Sequence, residues 1–197
     1  MDHQQLLALV AFAFVSTVSP GPNNVMLMTS GAKVGFMRTI PHMSGIVLGF
    51  SLMVFLVGIG LMKIFALYPI TQQILQISCI GYLLYLAWKI ALSQSTGNSA
   101  SDYKPMSFWA AVYFQWINPK AWSMALTAIS VYNASTNVYG VLFVSLVFAL
   151  INIPSVSIWT IAGKTLSAAL NNESKMKAFN YAMALLLLAS TLMMLEI

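Results

Sequence analysis

Two short segments of this 197-residue chain combine prolines with polar side chains inside otherwise apolar stretches. The first reads Ser-Pro-Gly-Pro-Asn-Asn over residues 19–24, and the second reads Asn-Pro-Lys over residues 118–120. Proline removes a backbone hydrogen bond and clashes with the preceding helical turn, so each segment predicts a broken helix. A helix that restarts after the first break would point its free amides at the break, where they could bind a carboxylate. The candidate binding residues are therefore Pro20, Gly21, Pro22, Asn23, Asn24, Asn118, Pro119 and Lys120.

Other interpretations of these polar residues stay open. The first segment could be a packed kink in which Asn23 and Asn24 hydrogen-bond to the freed backbone. Lys120 could extend to the inner interface if its helix tilts or starts late. A buried Lys120 would instead attract a carboxylate or exchange a proton. His42 is the second candidate for proton coupling, although its place at the start of an apolar stretch favours an interfacial residue.

The composition excludes several classes of protein. Charged residues make up 7% of the chain and hydrophobic residues 59%, whereas a soluble domain is about 25% charged. Thirteen charged side chains, nine basic and four acidic, cannot cover the surface of a soluble domain of this size. A soluble globular protein, a disordered chain and a nucleic-acid-binding protein are therefore excluded, the last despite the net charge of +5. We predict an all-α integral membrane protein.

Uncharged stretches of about 20 residues are long enough to cross a bilayer as helices. The stretch 121–163 is too long for one span, and it divides at the polar turn 132–137. Six transmembrane helices follow, over residues 5–29, 42–66, 70–91, 107–131, 138–161 and 177–195. They fill the chain, which we therefore interpret as a single transmembrane domain over residues 1–197.

A polar, serine-rich linker over residues 93–104 divides the chain into halves, 1–92 and 105–197. Three helices in each half would make the second half start from the opposite side of the membrane, as in a 3+3 inverted repeat. An aromatic residue lies six positions before Pro20 and six before Pro119, with a polar residue just before each proline. This correspondence predicts that helices 1 and 4 are broken at equivalent places.

The basic residues predict an orientation. Seven of them lie in loops on one side of the predicted bundle: Lys33, Arg38, Lys89, Lys104, Lys164, Lys175 and Lys177. The opposite side has Lys63, and Lys120 fits neither side. Because lysine and arginine favour cytoplasmic loops, both termini are predicted to lie outside, in the periplasm.

Glycines and missing acids give further expectations. Gly45 and Gly49 form a small-xxx-small pattern, and with Gly81 they predict close helix packing. No aspartate or glutamate lies inside a predicted span, which disfavours a metal-cation site. No catalytic constellation is recognisable, so we expect no metal, no cofactor and no enzymatic activity.

The same segments carry a family resemblance. Residues 19–24, Gly35, the Gly45 and Gly49 pair, 81–89 and 115–121 resemble the lysine-exporter (LysE/RhtB) family of bacterial amino-acid exporters, in order along essentially the whole chain. The resemblance implies proton-driven export of amino acids or close derivatives across the bacterial plasma (inner) membrane. Family motif positions fall on Pro20, Gly21, Pro22, Asn23, Asn118, Pro119 and Lys120. Residues 88–91 and 104–110 are most similar to the cysteine and O-acetylserine exporter branch.

We therefore expect a secondary-active exporter of small neutral amino acids or derivatives, of the cysteine/O-acetylserine or homoserine/threonine type, working by alternating access. A cationic substrate is disfavoured because Lys120 would repel it. The alternatives are a passive channel, an exporter of another small metabolite, and a structural membrane protein in which both breaks are packing kinks. The expected partners are an amino-acid substrate and the lipid bilayer, without nucleic acid, and a homodimer is left open.

Overall fold

The computed structural model of the chain describes residues 1–61, 67–92, 103–132, 137–170 and 172–192. The described residues form α-helices without a β-strand, which confirms the predicted all-α fold. The helices, in chain order, are α1 His3–Val18, α2 Pro22–Leu56, α3 Pro69–Ala91, α4 Phe108–Phe114, α5 Pro119–Tyr132, α6 Val138–Ser167 and α7 Glu173–Leu192. A π-helical turn, Val57–Leu61, follows α2, and a 3-10 turn, Gln115–Ile117, follows α4.

Local capping signals fix several helix starts. The Asp2 carboxylate accepts from the Gln5 amide at 2.7 Å, and the Gln5 side chain accepts from the Asp2 amide. Ser107 caps α4 and Asn137 caps α6 through side-chain oxygens. These residues satisfy amides that have no partner within the helix, and they lie where the sequence predicts spans four and five to begin.

Several helix ends differ from the predicted spans. Helix α6 continues to Ser167 instead of ending at residue 161, and α7 begins at Glu173 instead of residue 177. Exposed lysines, including Lys164 and Lys175, occupy these extensions. Charge patterns mark where a helix leaves an apolar environment, and a helix can continue beyond that point.

Gly35 folds α2 into two legs. Its φ of 77° lies in the region that favours glycine. A straight helix would place Asn23 and Ile46 about 34 Å apart at 1.5 Å per residue, yet both line one small cavity. We therefore divide α2 into a first leg, 22–34, and a second leg, 36–56. The predicted loop between spans one and two is helical except at Gly35.

Helix α6 is central, because it packs against α1 and against both legs of α2. The second leg contacts α6 through the rings of Phe50 and Phe148, whose centroids lie 5.5 Å apart. Met28 of the first leg faces Gly163, where a Cβ would collide with the Met28 backbone. A separate cluster joins α3 and α7 through residues such as Leu83 and Leu187.

The predicted packing glycines behave differently from one another. A Cβ built on Gly49 would lie 2.7 Å from the Val112 Cα of α4, and one on Gly45 would collide with the Phe108 carbonyl. The second leg can therefore approach α4 closely. Gly81 is exposed, and no described atom lies within 4 Å of a Cβ built on it. The close contact predicted at Gly81 is thus absent from the described part of the chain.

Two described segments, Pro22–Leu61 and Val138–Ser167, are long and apolar enough to cross a membrane. The Nζ atom of Lys33 lies 5.1 Å from the Tyr103 ring centroid, and Gly31 abuts the backbone at Lys164. The predicted loops between spans one and two, three and four, and five and six therefore have basic residues at one shared end of the molecule. The six-span count, the inverted repeat and the two halves stay predictions, and most of the linker lies outside the described residues.

Candidate functional site

The first predicted break is an unwound segment of three residues. Helix α1 ends at Val18 and α2 begins at Pro22, with Ser19, Pro20 and Gly21 between them. Ser19 and Gly21 have extended backbone conformations. The last carbonyls of α1 therefore have no intrahelical donor, and buried groups of this kind need other partners.

Side chains from two other places hydrogen-bond to these carbonyls. The Asn24 amide donates to the carbonyls of Thr17 at 2.7 Å and Ser19 at 2.8 Å. The Trp159 indole of α6 donates to the Val18 carbonyl at 2.9 Å. Asn24 thus has the role that the packed-kink interpretation gave it, whereas Asn23 does not share these contacts.

The second break is shorter and is stabilised by its own residues. After the 3-10 turn, Asn118 has an extended conformation and α5 begins at Pro119. The Asn118 side chain accepts from the Lys120 amide at 3.2 Å, and its carbonyl accepts from the Ala121 amide at 3.0 Å. Proline costs no hydrogen bond at the first helical position, where its missing donor would have no partner.

Lys120 joins the two breaks. Its ammonium donates to the Ser19 carbonyl at 2.6 Å, the Ser19 hydroxyl at 2.7 Å and the Pro20 carbonyl at 3.2 Å. All three donors of the ammonium have acceptors, and the side chain is 9% exposed. The positive charge lies at the carboxyl end of α1, where the helix dipole is negative. Lys120 therefore lies between the breaks and does not extend to the end of the bundle.

A pair of side-chain amides also connects the broken helices. Asn23 donates to Gln115 at 2.8 Å and accepts from it at 3.3 Å. Gln115 is fully buried and also donates to the Ala111 carbonyl at 2.8 Å. This pair holds the start of α2 against the 3-10 turn.

A cavity of about 20 Å³ lies between the two breaks. Of the predicted residues, five line it: Gly21, Asn23, Asn24, Asn118 and Lys120. Thr17, Ile46, Phe50, Met124 and Asn152 complete the lining. The volume admits a water molecule but is too small for an amino acid.

The amino end of α2 makes the cavity suitable for an anion. No side chain caps this end, and Pro22 occupies its first position without an N–H group. The first amides of a helix have no intrahelical acceptor and carry the positive end of the dipole. The backbone N–H groups of Asn23 and Asn24, together with the Lys120 ammonium, therefore give the cavity wall a positive electrostatic character.

The other predicted residues lie around this cavity. Pro20, Pro22 and Pro119 do not line it, and they shape the breaks instead. His42 is outside the lining as well, one turn from Ile46. It is 1% exposed, so it lies inside the protein, and its position near the membrane interface stays a prediction. Proline at position 41 is exposed while His42 turns inward, a difference of helix face that the sequence did not reveal.

Two residues that contribute to the first break were not among the predicted site residues. The first is Ser19, which binds Lys120 and whose position directly before Pro20 could have indicated this contact. Trp159 gave no such signal, because 141 positions separate it from the carbonyl that it binds. The indole reaches Val18 only because α6 packs against α1.

Comparisons with known proteins find relatives over most of the chain. The family model of the LysE type translocator matches residues 14–195. A cysteine/O-acetylserine efflux protein of Salmonella choleraesuis (strain SC-B67) is 31% identical over 192 residues, which cover 95% of each chain. The protein of the same name from Escherichia coli O139:H28 (strain E24377A / ETEC) is 28% identical over 185 residues, 93% of each chain. No solved structure matches the chain.

Proposed function

The chain belongs to the family of LysE type translocators, and we propose that it exports small neutral amino acids or their derivatives from the bacterial cytoplasm. Family membership indicates a transporter rather than an enzyme. The names of the relatives favour cysteine and O-acetylserine as substrates, and substrates of the homoserine/threonine type are the second choice. The proposed place of action is the inner membrane, with several membrane-spanning helices and both termini in the periplasm.

The observation that carries the proposal is the contact between Lys120 and the unwound backbone of the first break. In an enlarged cavity, a substrate carboxylate would attract the Lys120 ammonium and accept hydrogen bonds from the backbone N–H groups of Asn23 and Asn24. The carbonyls of Ser19 and Pro20 would then be free to accept from the ammonium of the substrate. A zwitterion therefore replaces both carbonyl contacts that Lys120 would give up, which favours a neutral amino acid over a cation.

Transport requires that the site open to each side in turn. We propose that the two halves rock against each other about the breaks, as broken-helix transporters with internal repeats do. The small cavity then corresponds to a closed state between the two openings. Lys120 is our first candidate for proton exchange because it lines the cavity, and His42 is the second because it lies one turn away.

Efflux from proteoliposomes tests this function. The purified chain is reconstituted, the vesicles are loaded with labelled O-acetylserine, and efflux is followed with and without an imposed pH gradient. We expect the gradient to accelerate efflux. Efflux that needs the protein but ignores the gradient would support the alternative, a passive channel, and an absence of efflux for every small neutral amino acid would contradict amino-acid export.

Two substitutions in the same assay test the site. Lys120→Met removes the ammonium and Asn23→Ala removes the bridge to Gln115, and we expect efflux to fall at least about tenfold and about fivefold, respectively. Lys104→Gln is the control, since it removes a positive charge from an exposed position. Full efflux in both site variants would exclude the proposed site while leaving the export function intact.

A further inference from the structure

The second leg of α2 and α6 run antiparallel in a register that several contacts fix. The Ser51 hydroxyl donates to the Ser145 carbonyl at 2.9 Å, and the Phe50 and Phe148 rings lie 5.5 Å apart. One turn further along each helix, Ile46 and Asn152 both line the cavity. The contact surface between these two helices can therefore be followed layer by layer.

The next layer toward Gly35 contains His42 on α2 and Ser155 on α6. His42 lies four positions before Ile46, and Ser155 lies three positions after Asn152, so each follows its cavity residue by one helical turn. Extended by one helical turn beyond Ile46 and Asn152, this register brings both residues to about the same level of the helix pair. His42 is 1% exposed and Ser155 is 0% exposed.

Neither side chain has a hydrogen-bond partner among the described residues. Both imidazole nitrogens of His42 and the hydroxyl of Ser155 are buried without one. Buried hydroxyls nearby differ, because Thr39 and Thr160 donate to carbonyls of their own helices, at 2.8 and 2.7 Å. A buried polar group without a partner costs free energy, so such a group calls for an explanation.

The chemistry of the pair indicates which ligand would suit it. A neutral imidazole offers one donor and one acceptor, and a serine hydroxyl offers both as well. No acidic residue lies in the described parts of α2 or α6. Arg38, one turn before His42, is exposed, and Lys120 lines the cavity of the preceding layer. The pair therefore fits an uncharged polar group such as a thiol, a hydroxyl or an ester carbonyl.

We propose that His42 and Ser155 form the subsite for the polar side chain of the exported amino acid. With its carboxylate at Lys120, the substrate would direct its side chain one layer toward Gly35, about 5.4 Å away along the helices. O-acetylserine can span this distance, and cysteine can bridge it with a hydrogen bond from its thiol. The subsite rests on the proposed function, and it assigns to His42 and Ser155 the preference for a polar over an apolar side chain.

The test compares L-cysteine with L-alanine, which lacks the sulfur but keeps the carboxylate and the ammonium. Initial rates of exchange are measured for both in proteoliposomes of the full chain under reducing conditions. We expect the cysteine-to-alanine ratio of kcat/KM to fall about fivefold in Ser155→Ala, with the alanine rate kept, and the ratio in His42→Phe to fall by a similar factor whatever the absolute rates of that variant. His42→Gln retains a donor and an acceptor and should keep most of the ratio.

Ser157→Ala is the matched control on the same helix, because the Ser157 hydroxyl already donates to the Ile153 carbonyl at 2.8 Å. Its ratio should equal that of the wild type. An unchanged ratio in Ser155→Ala, or an equal loss of both substrates in Ser155→Ala and His42→Gln, would overturn the subsite. A wild-type protein that carries neither amino acid would instead contradict the proposed function.

Discussion

Both breaks leave backbone groups without a partner in their own helix, and the two breaks satisfy these groups in different ways. At the first break, the freed carbonyls of α1 accept from Asn24, from Trp159 of α6 and from Lys120 of α5. At the second break, Asn118 satisfies the start of α5 with its own side chain and carbonyl. The first break thus depends on tertiary contacts, whereas the second is largely a local turn.

This difference indicates how the site is assembled. The second break can form from its own residues, and it then places Lys120 where the first break needs a donor. A movement of α5 would withdraw that donor from Ser19 and Pro20. The Lys120 contacts therefore couple the two breaks to each other, and a substrate that competed for the ammonium would weaken this coupling.

The largest effect on stability is expected for Asn24→Ala. The substitution removes the side-chain amide that donates to the buried carbonyls of Thr17 and Ser19. Two lost hydrogen bonds at buried groups should lower the free energy of unfolding by about 3 kcal/mol. Reversible unfolding in mixed detergent micelles measures this, and a loss below about 1 kcal/mol would show that the first break does not depend on Asn24.

A smaller effect is expected for Gly21→Ala. The new Cβ would lie 2.7 Å from Cδ and 3.1 Å from Nζ of Lys120, so the lysine must move. The backbone at Gly21 is extended and tolerates alanine. Because Lys120 is buried and holds three acceptors, we expect a destabilisation of about 2 kcal/mol and reduced efflux.

Gly81→Ala is the control for that substitution. No described atom lies within 4 Å of its Cβ, and the position is helical. Alanine should therefore leave stability unchanged or raise it by up to about 1 kcal/mol. An equal loss of stability at both glycines would remove the argument that close contact with Lys120 constrains Gly21.

Among the substitutions at the two breaks, the smallest effect is expected for Asn118→Ala. It removes one local cap at the start of α5, a loss of about 1 kcal/mol. The contrast with Asn24→Ala is measured under the same unfolding conditions. If the two asparagines proved equally important, the second break would depend on more than its local turn, and the difference between the breaks would disappear.

The sequence alone determined the class of fold and the places of both breaks. The scarcity of charge, the apolar stretches and the prolines can be recognised without knowing any tertiary contact. The all-α fold and the interruptions near Pro20 and Pro119 could therefore be predicted from them. Capping residues such as Ser107 are equally local. The family resemblance was likewise carried by short motifs, and the match over residues 14–195 confirms it.

Which groups meet depends on long-range packing. It brings Lys120 to Ser19 across 101 positions and Asn23 to Gln115 across 92. It also buries His42 next to the exposed Pro41, and it leaves Gly81 without a close neighbour in the described structure. Helical periodicity predicts which residues share one face of a helix. Which other helix packs on that face depends on how Gly35 turns the chain and how α6 packs. Local chemistry therefore specified the breaks, and long-range packing specified the site between them.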